Sequence, residues 1–149
     1  MKEDREVQIF DLSDDEIIKI LSKYRNVAVV GLSADESKDS NRVAQFLLDR
    51  GFHIFPVNPN STEILGRKCY ARLSDIEDEI DIVDIFRKSE AVGEIVDEAI
   101  KMNAKAVWMQ QGVVNHEAAG KARAAGLKVV MDRCIKRAYS AYFPPDQKI

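Results

Sequence analysis

Val27-Ala28-Val29-Val30-Gly31-Leu32-Ser33 is the stretch on which the fold turns. A short apolar run that closes on a glycine reads as a buried strand entering a tight turn. Helical spacing follows at 42–49, with Val43, Phe46 and Leu47 on one stripe and Gly51 placed as the C′ residue. The same alternation then repeats down the chain. Ile54-Phe55-Pro56-Val57 is the second strand, and Ser74 with Glu77 forms a capping box for a short helix at 75–79. Residues 80–86 form the third strand. Val92, Ile95, Val96, Ala99 and Ile100 mark the next helix at spacings of three and four. A fourth strand at 106–109, a helix at 117–125 closed by Gly126, a fifth strand at 127–131 and a short helix at 135–142 complete the pattern. Ahead of it, residues 1–25 form an N-terminal extension with one amphipathic helix. Ser13 and Glu16 make its capping box, Asp14 and Asp15 fill its first turn, and Ile17, Ile18, Ile20 and Leu21 form its stripe. Five apolar strands separated by helices predict an α/β fold, an open, doubly wound parallel sheet of about five strands with helices on both faces. Residues 1–149 read as a single domain.

Composition narrows the function. The chain has 149 residues, and 22 basic against 25 acidic side chains give a net charge of −3, so a broad nucleic-acid footprint is not expected. No apolar run approaches the roughly 20 residues of a membrane helix, and the charged Met1-Lys2-Glu3-Asp4-Arg5-Glu6 start is no signal peptide. Two cysteines, Cys69 and Cys134, are too few for a disulfide scaffold and suit a reducing cytoplasm. The two histidines and two cysteines lie far apart and show no metal-ligand spacing.

In an open α/β sheet, ligands bind beyond the carboxyl ends of the strands, near the reversal of strand order. That rule selects residues 31–41, 58–61, 87–89, 110–115 and 132–136. In the first segment Gly31 permits a tight turn, Ser33 and Ser40 offer hydroxyls, and a helix start presents free N–H groups suited to a phosphate. The segment is neither G-x-G-x-x-G nor a P-loop. The second strand ends on Val57-Asn58-Pro59-Asn60, without the acidic residue that holds an NAD ribose. Arg42, Arg87, Lys88, Arg133, Lys136 and Arg137 all fall on the carboxyl-end face, and a small polyanion is a reason for that convergence. Surface arginines are commonly only solvated, which is the plainer account of Arg137.

No residue set reads as catalytic. His116 opens a helix, and His53 lies at the far end of its strand. Cys134 lies on the ligand face beside Arg133; it could meet a ligand thiol or be a packed cysteine. Cys69 has no evident partner. The acids Asp75, Glu77, Asp78, Glu79 and Asp81 read as a solvated helix and loop. Asp84 sits inside the third strand, where a buried carboxylate needs partners.

An ordered set of motifs completes the reading. Val30-Gly31-Leu32-Ser33, Ile54-Phe55-Pro56-Val57-Asn58-Pro59, Ile64-Leu65-Gly66-Arg67-Lys68-Cys69-Tyr70, Asp81-Ile82-Val83-Asp84-Ile85-Phe86-Arg87, Val107-Trp108-Met109-Gln110-Gln111-Gly112-Val113 and Met131-Asp132-Arg133-Cys134 together resemble the stand-alone CoA-binding protein family. That family is similar to the N-terminal CoA-binding domain of the succinyl-CoA synthetase alpha subunit. The resemblance spans about residues 13–140 and implies a Rossmann-like domain that holds coenzyme A across the carboxyl ends of its strands. It implies that Gly31, Ser33 and Ala34 meet the phosphates and that Val57, Asn58 and Pro59 lie against the adenosine. Ile85, Phe86 and Arg87 would touch the cofactor, with Gln110 and Gly112 nearer the pantetheine arm. The convergent face adds Ser40, Asn41, Arg42 and Cys134 to this expected site.

Two departures stand out. Ser61 occupies the place of a synthetase lysine, and Asp35, Glu36 and Asp39 put three acids in the first loop. Arg42, Arg87 or Arg67 would compensate. The 149 residues are expected to hold neither a phosphohistidine domain nor a nucleotide-grasp domain, so no acyl-CoA ligase is expected from them alone. The expected function is non-catalytic binding of coenzyme A or an acyl-CoA, as carrier, sensor or accessory subunit, in the cytoplasm. The expected partners include no nucleic acid and no membrane. The alternatives are a thiol- or acyl-exchange enzyme using Cys134, an NAD(P) or adenosine-nucleotide module, and an interaction protein without a ligand. An exposed Trp108 edge or the first helix would support a homodimer or a partner subunit.

Overall fold

The computed structural model describes residues 12–145; the first part of the N-terminal extension lies outside them. Glu16 donates its backbone N–H to Ser13 Oγ at 3.2 Å, and Ser13 donates its own to Glu16 Oε1 at 3.0 Å. This reciprocal pair starts α1 (Asp14–Lys23), which buries Ile17, Ile20 and Leu21 and leaves Ile18 half-buried. The chain continues through β1 (Asn26–Val30), α2 (Asp39–Asp49), β2 (His53–Val57), β3 (Glu63–Ile64), β4 (Arg67–Lys68), β5 (Ile82–Ile85), α3 (Val92–Lys101), β6 (Ala106–Met109), α4 (His116–Ala124), β7 (Lys128–Val130) and α5 (Ile135–Tyr142).

The main sheet is parallel throughout, in the order β2-β1-β5-β6-β7. The chain leaves β1 toward one edge and then returns past it to β5. Strand order therefore reverses between β1 and β5, which fixes the crevice for a ligand at their carboxyl ends. Side chains alternate between two apolar layers. Val27, Val29, Ile82 and Trp108 pack under α1, α2 and α5 with Leu21, Leu47 and Ile135. Ala28, Val30, Val83, Ile85, Val107 and Met109 pack under α3 and α4 with Val96, Ala99 and Ala119. Burial on both faces explains why the strands read as unbroken apolar runs rather than alternating ones.

Three local expectations fail, each for a physical reason. No helix forms at 75–79; a 3-10 turn, Leu73–Asp75, stands in its place. Ser74 gives its backbone N–H to Glu98 Oε1 of α3 at 2.8 Å instead of to Glu77, and five residues rich in like charge cannot offset the cost of helix nucleation. The expected solvated run also ends differently, since Asp81 accepts the backbone N–H groups of Arg25 and Asn26 at 3.2 and 3.1 Å. Trp108 offers no exposed edge. It is fully buried, and its Nε1 donates to the Arg133 carbonyl at 2.9 Å. Asp84 is fully buried as well, yet neither carboxylate oxygen has a hydrogen-bond partner among the described residues. Burial alone raises its pKa well above the usual carboxylate range.

The sequence reading did not place the β3–β4 hairpin. Its two turn residues, Leu65 and Gly66, both have positive φ, at 54° and 72°, as a type I′ turn requires. The hairpin returns Tyr70 to the outer side of β2. Tyr70 donates its N–H to the Pro56 carbonyl at 2.9 Å and accepts that of Asn58 at 2.8 Å.

Candidate functional site

The crevice is built on Gly31. Its φ of 90° suits glycine, and its N–H donates to the Val57 carbonyl at 2.9 Å. A Cβ there would stand 2.6 Å from the Phe86 carbonyl oxygen and 2.9 Å from Arg87 Cδ. The turn after β1 and the end of β5 are therefore pressed together, and any side chain at 31 would separate them.

Several expected ligand groups are occupied in shaping the loops. Ser40 Oγ accepts the Ser33 N–H at 3.0 Å, Ser33 Oγ accepts that of Asp35 at 3.0 Å, and Asn41 Nδ2 donates to the Ser33 carbonyl at 2.8 Å. Asn58 Nδ2 donates to the Leu32 carbonyl at 2.9 Å, tying the end of β2 to the first loop. The acids of that loop face outward: Asp35, Glu36 and Asp39 are exposed. Asp35 accepts the N–H of Ser37 at 2.9 Å and its hydroxyl at 2.8 Å, and these bonds hold its carboxyl below the usual range.

Two cavities open beside the crevice, over opposite faces of the sheet. One, of about 310 Å³, lies on the α3 side and includes Val57, Pro59, Ala71, Arg72, Arg87, Glu94 and Glu98. Its charges balance, and Arg72 pairs with Glu98 at 3.6 Å. The other, of about 540 Å³, lies between α2 and α5. Arg42, Arg87, Lys88, Lys136 and Arg137 surround it, with Asp39 as its one acid, and Phe86, Gln110, Val113 and Cys134 complete the wall. Arg87 belongs to both cavities. No ion pair holds any of the five cations among the described residues. Such a wall is suited to a multiply charged anion.

Of the expected residues, Arg42, Phe86, Arg87, Gln110 and Cys134 line the larger cavity, and Val57 and Pro59 line the smaller. Gly31, Ser33, Ala34, Ser40, Asn41, Asn58 and Gly112 line neither. Gly112 instead donates its N–H to Asp132 Oδ1 at 2.7 Å, a clamp held by Asp132 at a φ of 62°. Two expected cations stand elsewhere. Arg133 faces a separate cavity with Leu12 and Ile17, its Nη2 3.4 Å from the Tyr142 hydroxyl, because Trp108 holds its backbone turned the other way. Arg67 is on the exposed hairpin. Ala71 and Arg72 were not foreseen. Their place depends on Tyr70 pairing with β2, for which the only local signal was the Leu65-Gly66 turn.

Neither histidine lines either cavity. His116 is the first residue of α4, behind the Asn115 cap that accepts the Ala118 N–H at 2.9 Å. His53 Nδ1 lies 3.0 Å from Asn26 Oδ1 at the amino end of β2. Among the described residues no cluster of histidine, cysteine and carboxylate side chains could hold a metal, and no helix is long and apolar enough to cross a membrane.

Comparison with known proteins adds to this geometry. Residues 25–140 match the family described as a CoA binding domain. The chain is 41% identical over 125 residues to the uncharacterized protein YneT of Bacillus subtilis, across 84% of this chain and 93% of that one. A solved structure of a hypothetical protein from Pyrococcus horikoshii shares 44% identity at a TM-score of 0.85, across 87% of this chain and 92% of that one. An ADP-forming acetate–CoA ligase of Methanocaldococcus jannaschii is 31% identical over 126 residues, across 79% of this chain but 18% of the ligase.

Proposed function

The chain belongs to the CoA binding domain family, and on that premise we propose that it binds coenzyme A, or an acyl-CoA, without transforming it. The observation that carries the proposal is the larger cavity, with five cations against one acid beside the glycine turn at the reversal of strand order. Arg42, Arg87 and Arg137 supply the paired donors that phosphates take up, and Lys88 and Lys136 add point charges. The smaller cavity, walled by Val57 and Pro59, receives the adenosine, and Arg87 bridges the two parts of the ligand. The buried Gln110 amide serves the pantetheine arm. Gly31, Ser33, Ala34, Ser40, Asn41, Asn58 and Gly112 shape the backbone against which the ligand lies. The chain acts as one ligand-binding unit in the cytoplasm, as a carrier, a sensor or an accessory subunit of a CoA-using enzyme.

Thermal unfolding with coenzyme A, dephospho-CoA, acetyl-CoA, NAD and ATP tests this. Coenzyme A at ~100 times its dissociation constant adds about 2.7 kcal/mol of stability, which raises the melting temperature by several degrees at this chain length. The gain shrinks with added salt, because cations bind the phosphates. No shift with coenzyme A or acetyl-CoA, or an equal shift with NAD, overturns the proposal.

A further inference from the structure

We propose that Glu94 decides which base the smaller cavity takes, its carboxylate accepting the 6-amino group of adenine. This rests on the coenzyme A reading above and extends it to the nucleoside end of the ligand. The smaller cavity has two acids on its wall, Glu94 and Glu98, where the larger has one acid among five cations. Glu98 is already engaged. Its Oε1 accepts the Ser74 N–H at 2.8 Å, and its Oε2 stands 3.6 Å from Arg72 Nη2. Glu94 is the acid left over, since no hydrogen bond or ion pair reaches its side chain among the described residues. It stands exposed in the first turn of α3, where water solvates it until a ligand arrives.

A carboxylate on the wall of a polyanion site limits what can lie beside it. Like charges repel, so a phosphate is disfavoured next to Glu94 and is drawn instead to the cations of the larger cavity. An ionised carboxylate offers only acceptors, and the group it takes up is a neutral one with a proton to donate. The nucleoside end of coenzyme A carries two such groups, the adenine 6-amino group and the ribose 2′-hydroxyl. The hydroxyl neighbours the 3′-phosphate on the ring and is held away from the acid with it. The amino group remains.

The rest of the cavity suits a base. Val57, Pro59, Leu73 and Ile95 give it apolar surface for the flat face of a ring, and a few polar groups on such a wall fix orientation. Arg87, which belongs to both cavities, then stands between the base and the phosphates. Glu94 therefore acts in two ways at once. It repels the ligand's phosphates in general, and it favours the one base edge that brings it an amino group.

Isothermal titration of the full-length protein separates the two effects. Coenzyme A is compared with an analogue carrying unsubstituted purine in place of adenine, first on the unaltered protein and then on Glu94→Ala. Coenzyme A is expected to bind about fivefold or more tightly than the purine analogue, the difference being one hydrogen bond to a charged acceptor. In Glu94→Ala that ratio falls to about one; both ligands carry the same phosphates, so the lost repulsion cancels in the comparison. Glu94→Gln, which keeps an acceptor oxygen, retains part of the preference. Added salt weakens both ligands together and leaves the ratio standing. Equal affinities on the unaltered protein, or a ratio that survives Glu94→Ala, overturns the role of Glu94 while coenzyme A still binds. If neither ligand binds, the coenzyme A proposal falls and this one falls with it.

Discussion

The two faces of the sheet are built differently, and the difference separates stability from recognition. Under α3 and α4 the buried side chains are apolar, and the cavity at that edge closes its charges in the Arg72–Glu98 pair. Under α2 and α5 lie all four buried polar residues among those described, Ser40, Asn41, Asp84 and Gln110, and the cavity at that edge gathers five cations that make no ion pair among the described residues. All five cations are exposed, and like charges gathered at one edge repel one another. Their concentration on one face sets it apart from the other, which supplies the well-packed apolar layer.

Each side of this comparison can be broken by substitution. The largest effect is expected from Asp84, whose burial pushes its carboxyl pKa well above the usual range and favours the neutral form. Below about pH 4 it is protonated both folded and unfolded, and its contribution is fully present. As pH rises, the unfolded carboxyl ionises while the buried one does not, so stability falls by up to about 1.4 kcal/mol per pH unit until the folded group itself ionises. Asp84→Asn removes that slope; denaturant melts of both proteins from pH 4 to pH 8 should diverge steadily, and parallel curves would show that Asp84 is ionised inside the fold. Gly31→Ala comes next. The new Cβ meets the Phe86 carbonyl oxygen at 2.6 Å in a positive-φ backbone, costing roughly 1–3 kcal/mol. It should lower the melting temperature and abolish the coenzyme A shift together, since both cavities rest on that turn. Arg87→Ala, at the shared wall, should weaken coenzyme A about tenfold or more through lost charge-assisted bonds, with isothermal titration as the measure. Arg72→Ala should do least. Its ion pair is exposed, with 69% of the Arg72 side chain accessible, and such pairs contribute about 0–1 kcal/mol. If Arg72→Ala weakened binding as much as Arg87→Ala, the contrast between the cavities would be lost.

The apolar layers were legible in the sequence because local periodicity reports burial directly. Runs such as Val27–Val30 and Ala106–Met109 can be read as strands without knowing their neighbours, and the site's location follows from strand order. The charged wall was largely legible too, since Arg87 and Lys88 follow β5, Arg42 lies in the first turn of α2, and Lys136 and Arg137 lie in the first turn of α5. What escaped depended on contacts between distant residues. Tyr70 docks on β2 through bonds to Pro56 and Asn58, and no local pattern encodes that pairing. Trp108 and Arg133 were both misplaced by a single hydrogen bond between them, which buries one and turns the other away. The hydroxyls of Ser33 and Ser40 and the amide of Asn41 also bond within the first loop, which no local pattern announced. A hydroxyl in a loop looks the same in sequence whether it faces a ligand or the backbone.

The position of Pro56 bears on assembly. β2 is an edge strand, and an edge strand ordinarily offers its outward N–H and C=O groups to any passing chain. Proline has no N–H to offer there, and its carbonyl is already taken by Tyr70. At the other edge, β7 has only three residues. A second copy that tried to continue the sheet at β2 would first have to displace Tyr70, loosening the loop that carries Asn58 and Pro59. The pairing that leads the chain into the wall of the smaller cavity at Ala71 and Arg72 thus also guards the sheet against growing into its neighbour.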